Sequence, residues 1–264
     1  MTLAVLWLAF LVMFVLTVAA PAATALWLRL RIDVPFRVFE ASAGFYLVSL
    51  AIQLPVFGQV GGRGLLLGPL LGPLLAPAIY ALSEESLRYL SFRAGRAMRS
   101  SRHDDGALMA GLGFGVMEAL IFALILTWTV VLVTFAPESL RAQGIDPTQT
   151  ASGVIGSGAV YCVSRLGAIA CHLGFSTLSV LAYRRSVAFL PVAIAAHFAF
   201  NASTSGLQAL GGPWWVLAMI AWAAASTLVV VWVRRAGWIQ RTGTAPTPPA
   251  TAAFAWQGTP PPPP

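Results

Sequence analysis

The chain has 264 residues, of which 58% are hydrophobic and only 9% are charged. A soluble globular domain carries about 25% charged residues, so this composition excludes a soluble domain with an ordinary surface. The net charge of +7 results from sixteen arginines and nine acidic residues, and the chain has no lysine. The arginines lie in short clusters between apolar segments. That pattern is typical of a membrane protein, and it argues against a protein that binds nucleic acid.

Apolar segments of the length that a bilayer-spanning helix needs, about 20 residues, follow one another along the chain. The predicted spans are Leu3–Leu28, Val38–Phe57, Leu65–Tyr89, Ala107–Phe135, Val154–Tyr183, Val187–Leu207 and Pro213–Val233. The first segment has no positively charged start and no small-residue cleavage site, so we interpret it as a span and not as a signal peptide. The sequence therefore predicts an all-α, polytopic transmembrane helical bundle of about seven spans.

The arginines predict the orientation of this bundle in the membrane. If the spans alternate, twelve arginines fall on one face: Arg29, Arg31, Arg37, Arg93, Arg96, Arg99, Arg102, Arg184, Arg185, Arg234, Arg235 and Arg241. Only Arg63 and Arg141 fall in loops on the other face. Because positive charge collects on the cytoplasmic side, we expect the N-terminus outside and the C-terminus in the cytoplasm.

Two regions with different folding behaviour are expected. Residues 1–242 form the transmembrane bundle, whose longest outer connection, residues 136–153, is expected to be partly helical. Residues 243–264 are rich in proline, threonine and alanine and end in a proline run. Such a segment cannot bury enough apolar surface to fold alone, so we expect a disordered tail.

Ionisable residues lie inside four of the predicted spans, where each costs about 2.5–3.5 kcal/mol at the bilayer centre and usually has a function. They are Glu84, Glu85, Glu118, His172 and His197. With a helical rise of about 1.5 Å per residue, Glu85, Glu118 and both histidines lie about 12 to 18 Å from the cytoplasmic ends of their spans. Polar residues on four separate helices at one depth predict a single shared site.

Two arginines are expected to compensate the acidic residues. Arg88 lies one helical turn after Glu84 and Glu85 and can pair with either of them. Arg165 lies within the fifth predicted span, where we expect an inward-facing partner for an acid or for carbonyl groups. His103 is different, because it follows the arginine-rich segment and is expected to be a solvated loop residue.

Both intramembrane histidines have a polar neighbour on the same helix face. Ser176 follows His172 by four residues, and Asn201 follows His197 by four residues. Glycines 111, 113 and 115 precede the second-motif glutamate by two turns or less, where small residues permit close helix approach or leave room for a substrate backbone.

Two chemistries are compatible with these side chains, and the residues alone leave both open. A glutamate can act as a general base on water, and His197 with Asn201 can donate hydrogen bonds to an oxyanion. Alternatively, Glu118, His172 and His197 match the ligand set of a catalytic zinc that keeps an open position. Both describe hydrolysis of an amide bond at membrane depth.

Four short motifs follow one another on four predicted spans. They are EExxR from Glu84 to Arg88, GxGFGxxEA around Glu118, HLGFS from His172, and HxxxN from His197 to Asn201. Their order resembles the YhfC-type intramembrane proteases, relatives of PrsW and of the CAAX prenyl protease and bacteriocin-processing superfamily. The resemblance covers roughly Leu65 to Leu207. Phe114 is a departure, because the YhfC pattern has a histidine at this position of the second motif.

The resemblance implies an intramembrane endopeptidase in the cytoplasmic membrane of a bacterium. Its partners would be the lipid bilayer and a membrane-embedded or membrane-proximal peptide or protein substrate. The implied catalytic residues are Glu84 and Glu85 for water activation, Glu118 and His172 as second- and third-motif residues, and His197 with Asn201 for the oxyanion, with Arg88 and Ser176 in support. Whether zinc takes part is left open.

Two other functions are compatible with the same intramembrane residues. A proton-coupled transporter could use the glutamates and histidines as a proton relay, although the chain shows no internal repeat of the kind that many transporters have. A non-catalytic relative could keep the site as a pocket that binds other membrane proteins.

Overall fold

The computed structural model describes residues 3–62 and 68–239, with side chains described outside residues 56–73. Regular secondary structure in these ranges is helical throughout. The helices are α1 (Leu3–Phe14), α2 (Ala20–Arg29), α3 (Arg37–Gly62), α4 (Gly68–Ser91), α5 (Gly95–Ser100), α6 (Asp104–Phe135), α7 (Pro137–Ala142), α8 (Pro147–Gly156), α9 (Gly158–Arg184), α10 (Phe189–Ala209) and α11 (Trp214–Arg235). A π-helical segment, Val15–Ala19, joins α1 to α2. The tail predicted at residues 243–264 lies outside the described residues.

Five stretches of helix in the described residues are long and apolar enough to cross a membrane. They are Leu3–Arg29, Arg37–Pro55, Asp104–Phe135, Gly158–Arg184 and Trp214–Arg235. The predicted all-α membrane fold is therefore confirmed. Helices α4 and α10 coincide with the third and sixth predicted spans but are not among these five, so the count of seven spans and the orientation stay predictions.

The connection between α6 and α9 is partly helical, as expected, because α7 and α8 occupy most of it. Asp146 caps α8 by accepting a hydrogen bond from the backbone N–H of Thr148 at 2.8 Å. The fifth span was predicted to begin at Val154, which is wrong: α8 ends at Gly156 and a new helix begins at Gly158. A glycine at each side of this junction disfavours one continuous helix.

Helix α9 lies at the centre of the bundle. Of the most apolar part of α9, 72% is buried by the rest of the protein, against 22–33% for the other four candidate spans. Helices α4, α6, α10 and α11 all contact it. The outer helices instead carry exposed large apolar side chains such as Leu8, Trp128 and Leu228, which suits contact with lipid.

Helix α6 approaches its neighbours closely because its glycines have no side chain. A Cβ atom on Gly111 would lie 2.7 Å from the Cα of Leu173 on α9. A Cβ atom on Gly113 would lie 2.4 Å from the backbone oxygen of Phe39 on α3. Backbone atoms cannot move aside as the end of a flexible side chain can, so these positions set the spacing of the three helices.

Replacing Gly111 by alanine is expected to push α6 and α9 apart and to destabilise the fold by about 1–3 kcal/mol, as overpacking does. Gly153→Ala is the matched control, since a Cβ atom there would have nothing within 4 Å. Thermal unfolding in detergent should show a lower midpoint for Gly111→Ala and an unchanged or higher midpoint for the control. Equal midpoints for the two variants would contradict this account of the packing.

Candidate functional site

Four helices bring most of the predicted site residues into one buried hydrogen-bonded network. Helix α4 supplies Glu84, Glu85 and Arg88, α6 supplies Glu118, α9 supplies His172 and Ser176, and α10 supplies His197. The glycines of α6 make this possible: a Cβ atom on Gly115 would lie 2.9 Å from the Cα of Ile169 and 3.3 Å from the ring of His172. Residues that the sequence predicts at one depth in the membrane are therefore joined by hydrogen bonds in the structure.

Arg88 is the centre of this network and is fully buried. Its Nε atom donates to Glu85 Oε2 at 3.1 Å. Arg88 therefore forms its ion pair with Glu85 and not with Glu84. Its Nη1 atom donates to Ser176 Oγ at 3.0 Å, and its Nη2 atom lies 2.7 Å from His172 Nδ1. The guanidinium carbon lies 3.9 Å from the ring centroid of Phe114, a cation–π contact. Phe114, the second-motif residue that differs from the YhfC pattern, therefore packs against the buried guanidinium of Arg88.

The contacts of His172 fix its tautomer. A guanidinium can only donate hydrogen bonds, so His172 Nδ1 must accept from Arg88 and the ring proton must lie on Nε2. That Nε2 atom lies 2.5 Å from Glu118 Oε2. The second oxygen of Glu118 accepts from Arg165 Nη1 at 2.7 Å, which confirms the expected acidic partner of Arg165. Both nitrogens of His172 and both oxygens of Glu118 are thus engaged.

His197 is held differently, because only one of its nitrogens is engaged. Its Nδ1 atom lies 2.7 Å from Glu85 Oε1, and since a carboxylate accepts, Nδ1 carries the ring proton. The imidazole also stacks on Phe175, with ring centroids 4.6 Å apart. In the neutral ring these contacts leave the lone pair of Nε2 free, and this atom lies 3.9 Å from Glu84 Oε2.

Glu84 is the carboxylate with a free oxygen. Its Oε1 atom accepts from Gln53 Nε2 at 3.2 Å, and Gln53 donates to Ser83 Oγ as well at 3.0 Å. Its Oε2 atom is buried and accepts no hydrogen bond within the described part of the chain. Gln53 lies on α3 and was missed by the sequence analysis. Its signal was available, because it is a polar residue within an apolar predicted span.

Asn201 is the predicted catalytic residue that the structure does not join to the network. Its side chain is partly buried, and among the described residues it makes no hydrogen bond. Its backbone oxygen accepts from Thr204 Oγ1 at 3.2 Å. The side-chain amide is therefore available to a bound substrate.

The charges at the site do not balance within the network. Three carboxylates, Glu84, Glu85 and Glu118, face two guanidiniums, Arg88 and Arg165, so the group carries one net negative charge when both imidazoles are neutral. An uncompensated charge buried at membrane depth is costly. A metal cation near the unpaired Glu84 oxygen would remove this cost, and so would a proton on His197 Nε2, which lies 3.9 Å from that oxygen.

The donor atoms fit a metal held by Glu84 and His197. Glu84 Oε2 and His197 Nε2 both have a free lone pair and face each other, and oxygen and imidazole nitrogen are ligands that zinc accepts. Of the predicted ligand set, His197 fits directly, whereas Glu118 and His172 would first have to release Arg165 and Arg88. Metal ligation by Glu118 and His172 was predicted from the sequence, and the structure does not test it.

A second group of possible ligands, His103, Asp104 and Asp105, lies at the start of α6, with its ligand atoms within 4.8 Å of one another. His103 was expected to be solvated, which is wrong: it is buried and caps α6, its Nδ1 accepting from the backbone N–H of Gly106 at 3.2 Å. Burial lowers the pKa of His103, which keeps that nitrogen an acceptor. Both aspartates pair with Arg234 of α11, at 3.5 and 3.0 Å. These contacts account for the group as a helix cap and an interhelical ion pair.

Comparison with known proteins identifies the family. The model of the YhfC intramembrane metalloprotease family matches residues 68–221, more than half of the chain. The matched range contains every residue that the sequence analysis placed in the site, and it excludes Gln53. Comparisons with curated proteins and with solved structures give no match, so the relationship to PrsW and to CAAX proteases stays a prediction. The chain belongs to the YhfC intramembrane metalloprotease family.

Proposed function

We propose that this membrane protein is an intramembrane endopeptidase whose reactive atoms are Glu84 Oε2 and His197 Nε2. One observation carries the proposal: on two buried side chains, a carboxylate oxygen without a hydrogen-bond partner and an imidazole nitrogen that can accept in the neutral ring lie 3.9 Å apart. A water molecule needs such acceptors to become a nucleophile. The family name supports peptide-bond hydrolysis as the reaction.

In the metal-free site, Glu84 is the general base of this proposal. Its Oε2 atom accepts a proton from water, and the water oxygen bonds to the carbonyl carbon of the substrate. The same proton passes to the leaving nitrogen as the C–N bond breaks. Gln53 is a positioning residue, because its N–H bond to Oε1 leaves Oε2 as the oxygen that faces His197.

Glu85 and Arg88 are positioning residues as well. Glu85 holds His197 through Nδ1 and turns Nε2 towards Glu84. Arg88 holds Glu85 and, through His172, the second-motif glutamate. This chain of contacts fixes the reactive atoms before a substrate binds, which is the preorganisation that catalysis requires.

Asn201 and Glu118 are assigned to the substrate side of the site. The free side-chain amide of Asn201 lies on the same helix face as His197 and can donate to the oxyanion. Glu118 has 17% of its side chain exposed, whereas Glu85 has none. We therefore place the entry of a membrane-embedded or membrane-proximal peptide beside Glu118 and Arg165.

A divalent metal such as zinc, when bound, would be held by Glu84 Oε2 and His197 Nε2. Glu84 would then be a ligand in place of the base, because an oxygen that binds the metal cannot also accept the proton of the water. When bound, the metal would supply Lewis acidity to the attacking water and to the scissile carbonyl. Glu118 stays the predicted third ligand. The free Glu84 oxygen that faces His197 and the family name both support a bound cation.

We further propose seven spans within residues 1–242, an outer N-terminus and a cytoplasmic C-terminus, in a bacterial cytoplasmic membrane. Helices α4 and α10 are then the two additional spans. Their support is that α4 ends next to Arg93 and that α10 carries His197 to the level of the other site residues.

Reporter fusions test the orientation. A green fluorescent protein fused after residue 239 should fold and fluoresce, because that position is expected in the cytoplasm. The matched fusion in the loop between α6 and α7 should stay dark and a phosphatase placed there should be active. The opposite pattern, or two fluorescent fusions, would contradict the proposed orientation and span count.

Glu84→Gln is expected to lower kcat by about 10²–10⁴-fold, since general-base catalysis contributes about that much. Substrate affinity should stay unchanged, because the glutamine keeps the shape of the side chain. In metal-free buffer the thermal unfolding midpoint should not fall, because the change removes a buried carboxylate whose Oε2 atom has no hydrogen-bond partner in the described residues. Cleavage of a reconstituted membrane-peptide library, read by mass spectrometry, gives the rates. Gln53→Leu should lower kcat less, by loosening Glu84.

Two controls make this experiment decisive. Glu40→Gln changes an exposed glutamate of α3 and should leave cleavage unchanged. Glu85→Gln should lower both cleavage and thermal stability, because it removes the carboxylate partner of the buried Arg88. Wild-type cleavage by Glu84→Gln would overturn the assignment of the base. Wild-type cleavage by Glu84→Gln and also by Glu85→Gln would overturn the proposed site.

A further inference from the structure

A cluster of four arginines lies where α4 and α9 end, and none of them belongs to the hydrogen-bonded network of the candidate site. It consists of Arg93, Arg99, Arg102 and Arg184. Backbone contacts hold the members together: Arg99 Nη1 donates to Arg93 O at 3.3 Å, and Arg184 Nε donates to Arg102 O at 2.6 Å. We refer to these four residues as the arginine cluster.

Two stacked tyrosines give the arginine cluster a fixed shape. The rings of Tyr89 and Tyr183 are nearly parallel, with centroids 4.3 Å apart. Arg93 donates to both hydroxyls, at 3.2 Å to Tyr183 and 3.4 Å to Tyr89. The guanidinium carbon of Arg102 lies 4.2 Å from the ring centroid of Tyr183, and this arginine donates twice to Phe92 O, at 3.0 and 2.7 Å.

The arginine cluster keeps unused donors and uncompensated charge. Each guanidinium carries five N–H donors, and the contacts above use at most two of them. None of the four arginines forms an ion pair with a carboxylate in the described residues. The aspartates nearest in sequence, Asp104 and Asp105, already pair with Arg234. The cluster therefore presents several positive charges in a fixed arrangement to a partner outside the chain.

Orientation by the positive-inside rule does not account for this arrangement, because that rule needs only the charges. Arg96 and Arg235 satisfy it as exposed side chains, and neither makes a hydrogen bond or an ion pair within the described part of the chain. Arginines held by tyrosine rings and carbonyls instead lose side-chain freedom before any ligand binds, which favours a specific contact.

We propose that the arginine cluster binds the phosphate headgroup of an anionic glycerophospholipid. Arg93 lies two residues after the end of α4, and Arg184 is the last residue of α9, so the cluster lies at the border between membrane and water. Headgroup phosphates are concentrated at that level, and basic pockets between spans bind them. The planar guanidinium matches the oxygens of a phosphate in a bidentate manner.

The test measures binding of phosphatidylglycerol to the purified full chain. Micelles doped with phosphatidylglycerol should raise the thermal unfolding midpoint, and micelles doped with phosphatidylcholine should not. The double variant Arg93→Gln, Arg102→Gln should weaken this binding at least about tenfold, since it removes two charge-assisted contacts. The matched control, Arg96→Gln with Arg235→Gln, removes the same charge and should keep wild-type affinity.

Three outcomes would overturn the proposal. Equal weakening in both double variants would mean that net surface charge alone attracts the lipid. Binding of phosphatidylcholine with the same affinity would mean that headgroup charge is not recognised. Full competition by millimolar inorganic phosphate would make the ligand a free anion. If Arg102→Gln lowers the midpoint without lipid, Arg93→Gln with Arg99→Gln replaces it against the same control, because both of these side chains are exposed.

Discussion

The site depends on one buried ion pair, in which the guanidinium of Arg88 compensates the charge of the Glu85 carboxylate. The Arg88 side chain is fully buried, pairs with Glu85, and reaches both Ser176 and His172. Removing one partner of a buried ion pair costs about 3–5 kcal/mol, because the other charge is left uncompensated. Without Arg88, Glu85 would lose its cation and His172 its defined tautomer, so two helices would lose their fixed relation at once.

The network that Arg88 organises leaves one reactive pair. In the described residues, every oxygen of Glu85 and Glu118 accepts a contact, and so does Glu84 Oε1. The imidazole nitrogens are engaged in the same way, except His197 Nε2. The free oxygen of Glu84 and the free nitrogen of His197 face each other. In the proposed mechanism, the other polar groups of the network hold this pair in place, as expected of a preorganised site.

The sequence predicted the location of the site better than its roles. Depth along each span follows from helical rise alone, which is why Glu85, Glu118, His172 and His197 were predicted at one level, and these side chains are joined through Arg88 by hydrogen bonds. Rotation of each helix about its axis is set by packing, so neither the choice of Glu85 by Arg88 nor the contact of Gln53 could be read from spacing. The buried state of His103 was missed for a similar reason, because its cap and its surroundings come from chain folding beyond its neighbours.

Metal analysis of the detergent-purified protein tests the central claim most directly, because it reports on the free atoms themselves. The account predicts about one divalent metal per wild-type chain, lost in Glu84→Gln and in His197→Gln and retained in His172→Gln, whose nitrogens already contact Arg88 and Glu118. Mass spectrometry of folded samples, after zinc is offered and excess removed, gives the ratio. Loss of the metal in His172→Gln with retention in Glu84→Gln would contradict the account. A wild type without metal would contradict metal binding by this pair and leave Glu84 as the base that acts on water.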